Sequence, residues 1–399
     1  MQTLRDNAKK TVMLLHKFLM MFLNKRFVVV TLHLWVVCVH AFQSDTALSS
    51  PVTSTMNVKI ENGDFPVGWP WRGIAIESTS KDNSPAFVRH LKLKGVNAIE
   101  LVMTVRNTAQ FQNKTPSQAW QETLQWTDNM LDACKINQIV CIVSLSQIPI
   151  DPKLNISQSS PEFWDNPNML NEAVRIAESL ADHFKGRGDE LGAYELLNEP
   201  LVRRKFSQES PVVWPVLMER IVHAIRAKDA NRFIVVNAGF GGEASQYTKF
   251  KPIPYDRIIY GAHVYNPHEY THQGLYGNPI GMKWPGYIGK TYWDKERLKK
   301  QLSPLIEFKK KYGVPVWIGE FSALRWAQGS SVWLCDAVTI FNENGFGWMY
   351  FAFNGYHGWN PAYDTVFTSD TRKDFDAHKV DEHSERWATL NKIYNSQCK

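Results

Sequence analysis

Residues 192–200 read GAYELLNEP, and residues 314–321 read VPVWIGEF. Each is a short, largely apolar run that carries a glutamate where it ends, Glu199 in the first and Glu320 in the second. Runs of this kind, with Gly or Pro at their boundaries, predict strands that are buried on both faces, as in a parallel sheet. Because an isolated buried charge is costly, a glutamate at the end of such a strand indicates that a cleft opens there.

Apolar runs of the same type recur along the chain, and longer amphipathic stretches separate them. We predict eight strands, at 72–77, 97–103, 139–145, 191–197, 233–237, 258–264, 315–320 and 347–353. Helices are predicted near 85–94, 118–136, 168–185, 212–228, 293–312, 331–344 and 384–396, with at best a short one in the fifth connection, about 240–254. Strand–helix alternation predicts a parallel sheet with right-handed crossovers. Eight such units over about 330 residues predict a single (β/α)8 TIM barrel of the α/β class.

The composition and the charge distribution exclude several classes of protein. With 44% hydrophobic and 13% aromatic residues, the 399-residue chain is too apolar for a disordered or collagen-like protein. Residues 1–41 hold six cations and one anion, which leaves 39 cations and 38 anions in the rest of the chain. That part therefore lacks the basic surface that nucleic-acid phosphates require. No Gly-rich nucleotide motif follows the first strand, which argues against a nucleotide cofactor.

The N-terminus has the pattern of a targeting segment. Residues 27–39 read FVVVTLHLWVVCV, an apolar run shorter than the roughly 20 residues that a membrane span needs. Lys25 and Arg26 precede it, and residues 39–41 offer small side chains where a signal peptidase reads. The pattern predicts a secretory signal peptide over residues 1–41.

The chain is accordingly divided into the signal peptide, a polar linker at 42–64 and one barrel domain at 65–399. The predicted location is secreted or periplasmic. The alternative is an uncleaved segment that anchors the protein in the membrane through residues 27–42.

Four cysteines lie beyond the signal peptide, and an exported protein can oxidise them. Cys335 falls in a predicted helix and Cys398 at the C-terminus, so a disulfide between them would hold the tail. Cys141 lies within an apolar strand, and we predict that it is a buried thiol. There is no C-x-x-C pair, which argues against a zinc knuckle.

Polar residues cluster where the fourth, sixth and seventh strands end. They are Asn198 and Glu199, then His263 and Tyr265, then Glu320. In (β/α)8 barrels the chemistry lies at the carboxyl ends of the strands, so these side chains are predicted to share a cleft. Glycoside hydrolysis uses such a pair of carboxyls, one as proton donor and one to attack the anomeric carbon.

The three motifs Asn-Glu-Pro, His-x-Tyr and Gly-Glu-Phe, in this order and on these strands, resemble glycoside hydrolase family 5. This is a family of retaining (β/α)8 enzymes that includes cellulases and β-mannanases. The resemblance runs from Trp71-Arg72-Gly73 to Trp348, which is most of the chain beyond the signal peptide.

The resemblance implies a role for each motif residue. Glu199 resembles the acid/base and Glu320 the nucleophile, with the carboxyls about 5 Å apart and retention of configuration. Asn198 would bind the sugar 2-hydroxyl, Tyr265 would donate to Glu320, and His263 would help to set the protonation of the pair. For these roles the pKa of Glu199 must be raised, whereas hydrogen bonds must keep Glu320 ionised.

The sequence also departs from the family at three strand ends. Glu100 stands where the second strand usually carries an arginine that supports the nucleophile, and Arg106 and Arg72 are the candidate replacements. Ser146 stands where a histidine often follows the third strand. Phe351 occupies the usual tryptophan position of the eighth strand.

The remaining candidates lie in the loops at the same face. His268 to His272 matches H-E-x-x-H, but Pro267 precedes it and glycines follow, which argues against the helix that a zinc protease needs. We expect no metal; His268 and His272 either contact sugar hydroxyls or support the loop. Trp326 and Trp359 are predicted stacking platforms for sugar rings.

Together these features predict a monomeric, cofactor-free glycosidase that acts on a β-linked polysaccharide or oligosaccharide. A β-glucan of the cellulose type is the first choice of substrate, and β-mannan or a β-glucoside is the next. The loops near 147–165 and 266–292 are expected to decide between endo and exo action. The rival hypothesis is a barrel that binds glycan without turnover, because Glu100 would repel the nucleophile.

Overall fold

The computed structural model describes residues 65–154, 156–205, 207–367 and 376–398. The predicted signal peptide and linker lie outside these residues. Within the described part, no helix combines the length and the apolar character needed to cross a membrane.

Eight parallel strands close into a barrel in chain order, as predicted. They are β1 Arg72–Glu77, β2 Ala98–Thr104, β3 Val140–Gln147, β4 Leu191–Glu195, β5 Phe233–Asn237, β6 Ile258–Val264, β7 Val316–Phe321 and β8 Gly347–Tyr350. β1 pairs with both β2 and β8, which completes the circle. β4 ends two residues earlier than predicted and β8 three residues earlier, because the chain leaves the sheet there to form the loops of the cleft.

Helices cover the outside of the barrel and bury one face each. The longer ones are Pro85–Leu93, Val105–Phe111, Pro116–Asn137, Pro167–Phe184, Trp214–Lys228, Lys295–Gln301, Ser303–Tyr312, Ser330–Glu343 and Glu385–Tyr394. Side chains next to the first turn mark where several helices begin. Thr115 and Gln118 form a capping box, and Ser84 and Ser384 cap the helices that follow them. The fifth connection contains only short helical turns, Gly239–Gly242 and Ala244–Thr248, as expected.

The predicted helix at 293–312 is wrong as one element, since it is two helices that meet at Leu302. Pro304 lies in the first turn of the second helix, where its missing N–H costs nothing, whereas it would break a continuous helix. The helix Val105–Phe111 directly after β2 was not predicted.

Two disulfides join the four described cysteines. Cys335–Cys398 ties the C-terminus to a helix, which is the pairing that the sequence left open. The prediction that Cys141 is a free thiol is wrong, because it is bonded to Cys134. Gln138, with a φ of 51°, turns the chain sharply between the helix and β3 and brings the two Cα atoms to 6.6 Å.

The inside of the barrel has two unlike layers. Apolar side chains fill the lower layer: Trp71, Ala98, Val140, Ile142, Ala193, Val235, Ile259, Trp317 and Met349. Two residues further along β2, β3, β4 and β5, on the same face of each strand, the side chains are polar: Glu100, Ser144, Glu195 and Asn237. We call these four residues the polar layer. It lies on the side of the carboxyl ends of the strands, where the predicted site residues also lie.

Candidate active site

The structure brings Glu199 and Glu320 together on either side of one histidine. Glu320 lies near the end of β7 and is buried, and Glu199 follows β4. His263 Nδ1, on β6, is 2.9 Å from Oε1 of Glu199 and 3.7 Å from Oε2 of Glu320. One oxygen of each carboxyl and this nitrogen all lie within 4.8 Å of one another.

Two further side chains hold Glu320 from opposite sides. The amide Nδ2 of Asn198 donates to Oε1 at 3.0 Å, and the hydroxyl of Tyr265 donates to Oε2 at 2.8 Å. Hydrogen bonds to both oxygens stabilise the ionised form of a carboxyl. The five residues that the strand ends indicated therefore form one hydrogen-bonded cluster.

The backbone at Glu199 is in an unfavourable conformation, with a φ of 37°. A side chain with a Cβ pays on the order of 1 kcal/mol for the left-handed region. The turn carries the chain out of β4 and directs the carboxyl toward His263. Strain of this kind is often retained where a side chain is needed in one orientation.

Burial and charge set the pKa values within the cluster. Burial opposes a positive charge on His263, but the charge of Glu320 and the hydrogen bond to Glu199 raise the pKa of His263 to about 9. Burial and the charge of Glu199 raise the pKa of Glu320 to about 7, against the opposing effects of His263, Asn198 and Tyr265. Burial acts on Glu199 in the same sense, but the hydrogen bond and the charge of His263 outweigh it and hold its pKa below the ordinary value.

In the unliganded protein these shifts run opposite to the expectation, because the pKa of Glu199 is lowered and that of Glu320 is raised. The reason is the position of His263, which hydrogen-bonds to Glu199 and not to Glu320. Since the two carboxyls lie so close, they titrate as a pair.

Among the described residues, one group has side chains spaced closely enough to hold a metal ion. It consists of Glu199, His263 and Glu320. Each of these side chains is already engaged in the hydrogen bonds and the ion pair described above.

Aromatic rings extend the cluster toward the surface. His272 packs edge-on against Tyr265, with ring centroids 5.0 Å apart, and stacks on His268 at 3.9 Å. Trp359 is nearly buried and lies 5.8 Å from Tyr265 and 5.1 Å from His272. Trp326 is farther out, and its indole N–H donates to the carbonyl of Gln273.

Burial favours the uncharged form of both histidines of the loop. Burial lowers the pKa of His272 to about 3, and the neighbouring His268 adds to this shift. Burial also lowers the pKa of His268. Two protonated rings stacked at 3.9 Å would repel each other, so the stack is consistent with neutral rings. The run 268–271 is a single helical turn.

A profile of the family described as Cellulase (glycosyl hydrolase family 5) matches residues 60–357, three quarters of the chain. The chain belongs to glycosyl hydrolase family 5. It is thus a glycosidase that hydrolyses O-glycosyl compounds, of the endoglucanase-like kind.

Individual relatives and structures agree with this family. The chain is 25% identical to Endoglucanase C of Acetivibrio thermocellus over 260 residues, 58% of this chain and 73% of that protein. It is 22% identical to Cellodextrinase A of Ruminococcus flavefaciens over 275 residues, 67% and 78% of the two chains. Cel5A of Thermotoga maritima in complex with cellobiose has the same fold, with a TM-score of 0.59 at 19% identity over 82% of this chain and 97% of that one.

The family usually has an arginine beside the nucleophile, where this chain has Glu100. Neither Arg72 nor Arg106 replaces that arginine. Arg72 begins β1, at the opposite end of the barrel from Glu320. Among the described residues, the hydrogen-bond donors to Glu320 are Asn198 and Tyr265, and Arg106 is not one of them. Glu100 does not face Glu320 alone, because it lies within hydrogen-bonding reach of Glu195.

The other two departures sit at the rim of the cleft. Ser146 is half-buried at the end of β3. Phe351 follows β8 and packs on the apolar cluster of Ala75, Val102 and Ala352, and its peptide bond to Ala352 is cis. The tryptophan that the structure brings to the cluster is instead Trp359.

Glu77, which ends β1, was not predicted as a site residue. Burial and the charge of Glu320 raise the pKa of Glu77 to about 7. It lines a cavity of about 750 Å³ with Asn107, Asn354 and Tyr356, among other residues. The sequence carries a signal for it, because Glu77 is a carboxyl residue at the end of an apolar strand. No family motif includes it.

Proposed function

We propose that this enzyme cleaves a β-glucan of the cellulose type by double displacement with retention of configuration. The observation that carries this proposal is the short distance between the carboxyls of Glu199 and Glu320, one oxygen of each within 4.8 Å. Retaining glycosidases place their two carboxyls about 5 Å apart, whereas inverting enzymes need room for a water molecule between them.

In this proposal Glu320 is the nucleophile. Asn198 and Tyr265 donate to its two oxygens, which directs the carboxylate and favours its ionised form. As positive charge develops on the sugar in the transition state, the ionised form of the nearest carboxyl is favoured further. The proton of the pair then resides on Glu199.

Glu199 is the acid/base. It protonates the glycosidic oxygen while Glu320 forms a bond to the anomeric carbon and the leaving group departs. Glu199 then takes a proton from water, the water oxygen bonds to the same carbon, and the bond to Glu320 breaks. The hydrogen bond from His263 keeps the Glu199 carboxyl in place through both steps.

Asn198 has a second function in this mechanism. Its Nδ2 is occupied by Glu320, but its buried Oδ1 has no hydrogen-bond partner among the described residues. A buried acceptor without a donor is costly, and a sugar hydroxyl would satisfy it. We assign it to the 2-hydroxyl of the sugar bound to Glu320, a contact that strengthens in the transition state.

The choice of substrate rests on the relatives. Those quoted above are named endoglucanase and cellodextrinase, which favours β-linked glucose. A Thermotoga maritima Cel5A structure at 20% identity and a TM-score of 0.58 is described in complex with mannotriose, so mannan is the second substrate to test. His268, His272, Trp326 and Trp359 are the proposed sugar contacts in the loops.

We also propose that the protein acts outside the cytoplasm. Two disulfides among the described residues support an oxidising compartment, in line with the predicted signal peptide.

The test uses the full chain on a panel of β-glucans, mannan and xylan, with reducing-sugar release and proton NMR of the first product anomer as readouts. We expect release from a β-glucan with retention, and a loss of at least about 1,000-fold in Glu320→Gln. Glu219→Gln, an exposed glutamate on the helix Trp214–Lys228, is the matched control and should match the wild type.

Other outcomes would change the assignment. Inversion at the anomeric carbon would contradict the double displacement, and equal rates in wild type and Glu320→Gln would contradict the role of Glu320. No release from any polymer, combined with retardation of the folded protein in a glycan gel, would support the rival glycan-binding barrel.

A further inference from the structure

Glu100 and Glu195 lie side by side in the polar layer, beneath the catalytic carboxyls. Each side chain is only 1% exposed. Glu100 is within hydrogen-bonding reach of Glu195, and no cation bonds to either of them among the described residues. The mechanism above uses neither residue.

The hydrogen bonds show which of the two carries the charge. Asn237 Nδ2 donates to Oε1 of Glu195 at 2.8 Å, and the hydroxyl of Ser144 donates to Oε2. In contrast, Oε2 of Glu100 is buried without a partner among the described residues. The Ser144 hydroxyl, which donates to Glu195, also opposes the rise in the pKa of Glu100. Two donors favour the ionised form of Glu195, whereas burial, an unpartnered oxygen and a neighbouring negative charge favour the protonated form of Glu100.

The direction of the pKa of Glu100 agrees with this distribution. Burial raises it well above the ordinary value, and the charges of Glu195 and Glu320 raise it further. A protonated Glu100 has one hydroxyl donor, and Glu195 is the acceptor within reach. Two adjacent ionised carboxylates without a cation would cost several kcal/mol, so the pair holds a single charge.

A glycine on the neighbouring strand keeps space for this arrangement. Gly261 on β6 pairs in register with Asn237 on β5. A Cβ at Gly261 would lie 2.1 Å from Oδ1 of Asn237, a separation that no side chain tolerates. The donor to Glu195 therefore depends on the absence of a side chain at 261.

The pair is linked electrostatically to His263, two residues after Gly261 on the same strand. The negative charge of Glu195 raises the pKa of His263, in addition to the larger effects of Glu320 and Glu199. Several titratable groups surround this histidine from the elements packed against it. They are Glu195 at the end of β4, Glu199, Glu320 on β7, Tyr265, and Glu243, whose backbone bridges to it.

We propose that Glu195 is a positioning residue for the hydrolysis: its single negative charge, protected by the proton on Glu100, keeps His263 as the imidazolium that binds Glu199. The proposal rests on the proposed function where it concerns catalysis. The charge distribution itself is independent of any substrate.

The first experiment follows the titration of His263 by NMR in the full chain, with ring-labelled histidine. The chain has 12 histidines, so the signal is assigned with His263→Gln. We expect Glu195→Gln to lower the midpoint by roughly one pH unit, since it removes a nearby negative charge at constant size. Glu195→Asp, which keeps the charge, should restore most of the shift.

Glu100→Gln is the matched control in the same layer. Because Glu100 is neutral in the proposal, its amide replaces a protonated carboxyl, and the midpoint of His263 should stay within about 0.3 pH units. An equal shift in Glu100→Gln and Glu195→Gln, or no shift in Glu195→Gln, would overturn the proposal.

Infrared spectra of the wild type provide a test that needs no folded Glu195 variant. Above pH 8, where Glu77 and Glu320 are ionised, we expect a protonated carboxyl band that disappears in Glu100→Gln. The absence of this band in the wild type would contradict a protonated Glu100.

The pH dependence of kcat/KM tests the link to catalysis. In Glu195→Gln the alkaline limb should move to lower pH by about the same amount as the His263 midpoint, and Glu195→Asp should restore it. A shifted midpoint with an unchanged limb would overturn the positioning role. If no glycan is cleaved by the wild type, the proposed function fails while the NMR and infrared results still decide the charge distribution.

Discussion

The lower and upper layers of the barrel interior differ in kind, although the same strands build both. On β2 to β5 an apolar residue and a polar one are only two positions apart, as in Ala98 and Glu100 or Ala193 and Glu195. The lower layer gains stability from burying apolar surface. The upper layer buries carboxyls, which costs stability but creates the altered pKa values that acid–base chemistry uses. Stability and chemistry are thus separated along the barrel axis.

The largest expected effect is at Glu320, directly above the polar layer at the carboxyl ends of the strands. Glu320→Gln should lower kcat by at least about 1,000-fold, about 4 kcal/mol of transition-state stabilisation. Stability at pH 8 should not fall, because the variant removes a buried carboxylate whose ionisation is unfavourable. Kinetics and urea denaturation of the same sample give both values. A large loss of stability would mean that the two layers are not separate in function.

The opposite result is expected in the lower layer. Ile259 is fully buried on β6, four residues before His263. Ile259→Ala should destabilise the fold by about 3 kcal/mol through lost burial and a cavity. At temperatures where the protein stays folded, kcat should stay within about threefold of the wild type. A kcat that falls far more than the folded fraction would contradict the separation.

Glu77, at the carboxyl end of β1, allows the cost of burying a carboxyl at this end of the barrel to be measured through pH. Its folded pKa of about 7 lies above the unfolded value of 4.5, so the folded state binds the proton more tightly between these pH values. Stability therefore falls as pH rises from about 4.5 to 7 and then levels off. A shift of this size corresponds to about 3 kcal/mol.

In Glu77→Gln the fall in the free energy of unfolding between pH 5 and pH 8 should be smaller than in the wild type, by up to about 3 kcal/mol. Urea denaturation at the two pH values measures it. Glu219→Gln, at an exposed position, should keep the wild-type slope. An unchanged slope in Glu77→Gln would show that the carboxyl is solvated in the folded state.

The smallest effect is expected at Tyr265, whose hydroxyl donates to Glu320. Tyr265→Phe removes one charge-assisted hydrogen bond, about 2 kcal/mol, and should reduce kcat by roughly 10- to 100-fold. The pKa of Glu320 should rise, because a donor to its ionised form is lost. An unchanged pH profile of kcat/KM would indicate that Asn198 alone maintains the ionised form.

Much of the fold was readable from local pattern. The eight apolar runs predicted all eight strands, and the site residues at the ends of the fourth, sixth and seventh strands form one cluster in the structure. The split at Leu302 was missed although Pro304 marks it, because the amphipathic pattern continues across the break. Glu77 could not be predicted from the family motifs, because it lies outside all three of them.

The sequence by itself determined the barrel and the position of the carboxylates, since both follow from local periodicity and from where charges interrupt it. The tertiary structure decided what each buried group faces. Only the closed barrel places Glu100 against Glu195, 95 positions away, and His263 beside Glu199. Protonation depends on burial and on charges a few ångströms away, which come from residues distant in the chain. For that reason the sequence located the acid–base groups, but only the folded barrel set their charges.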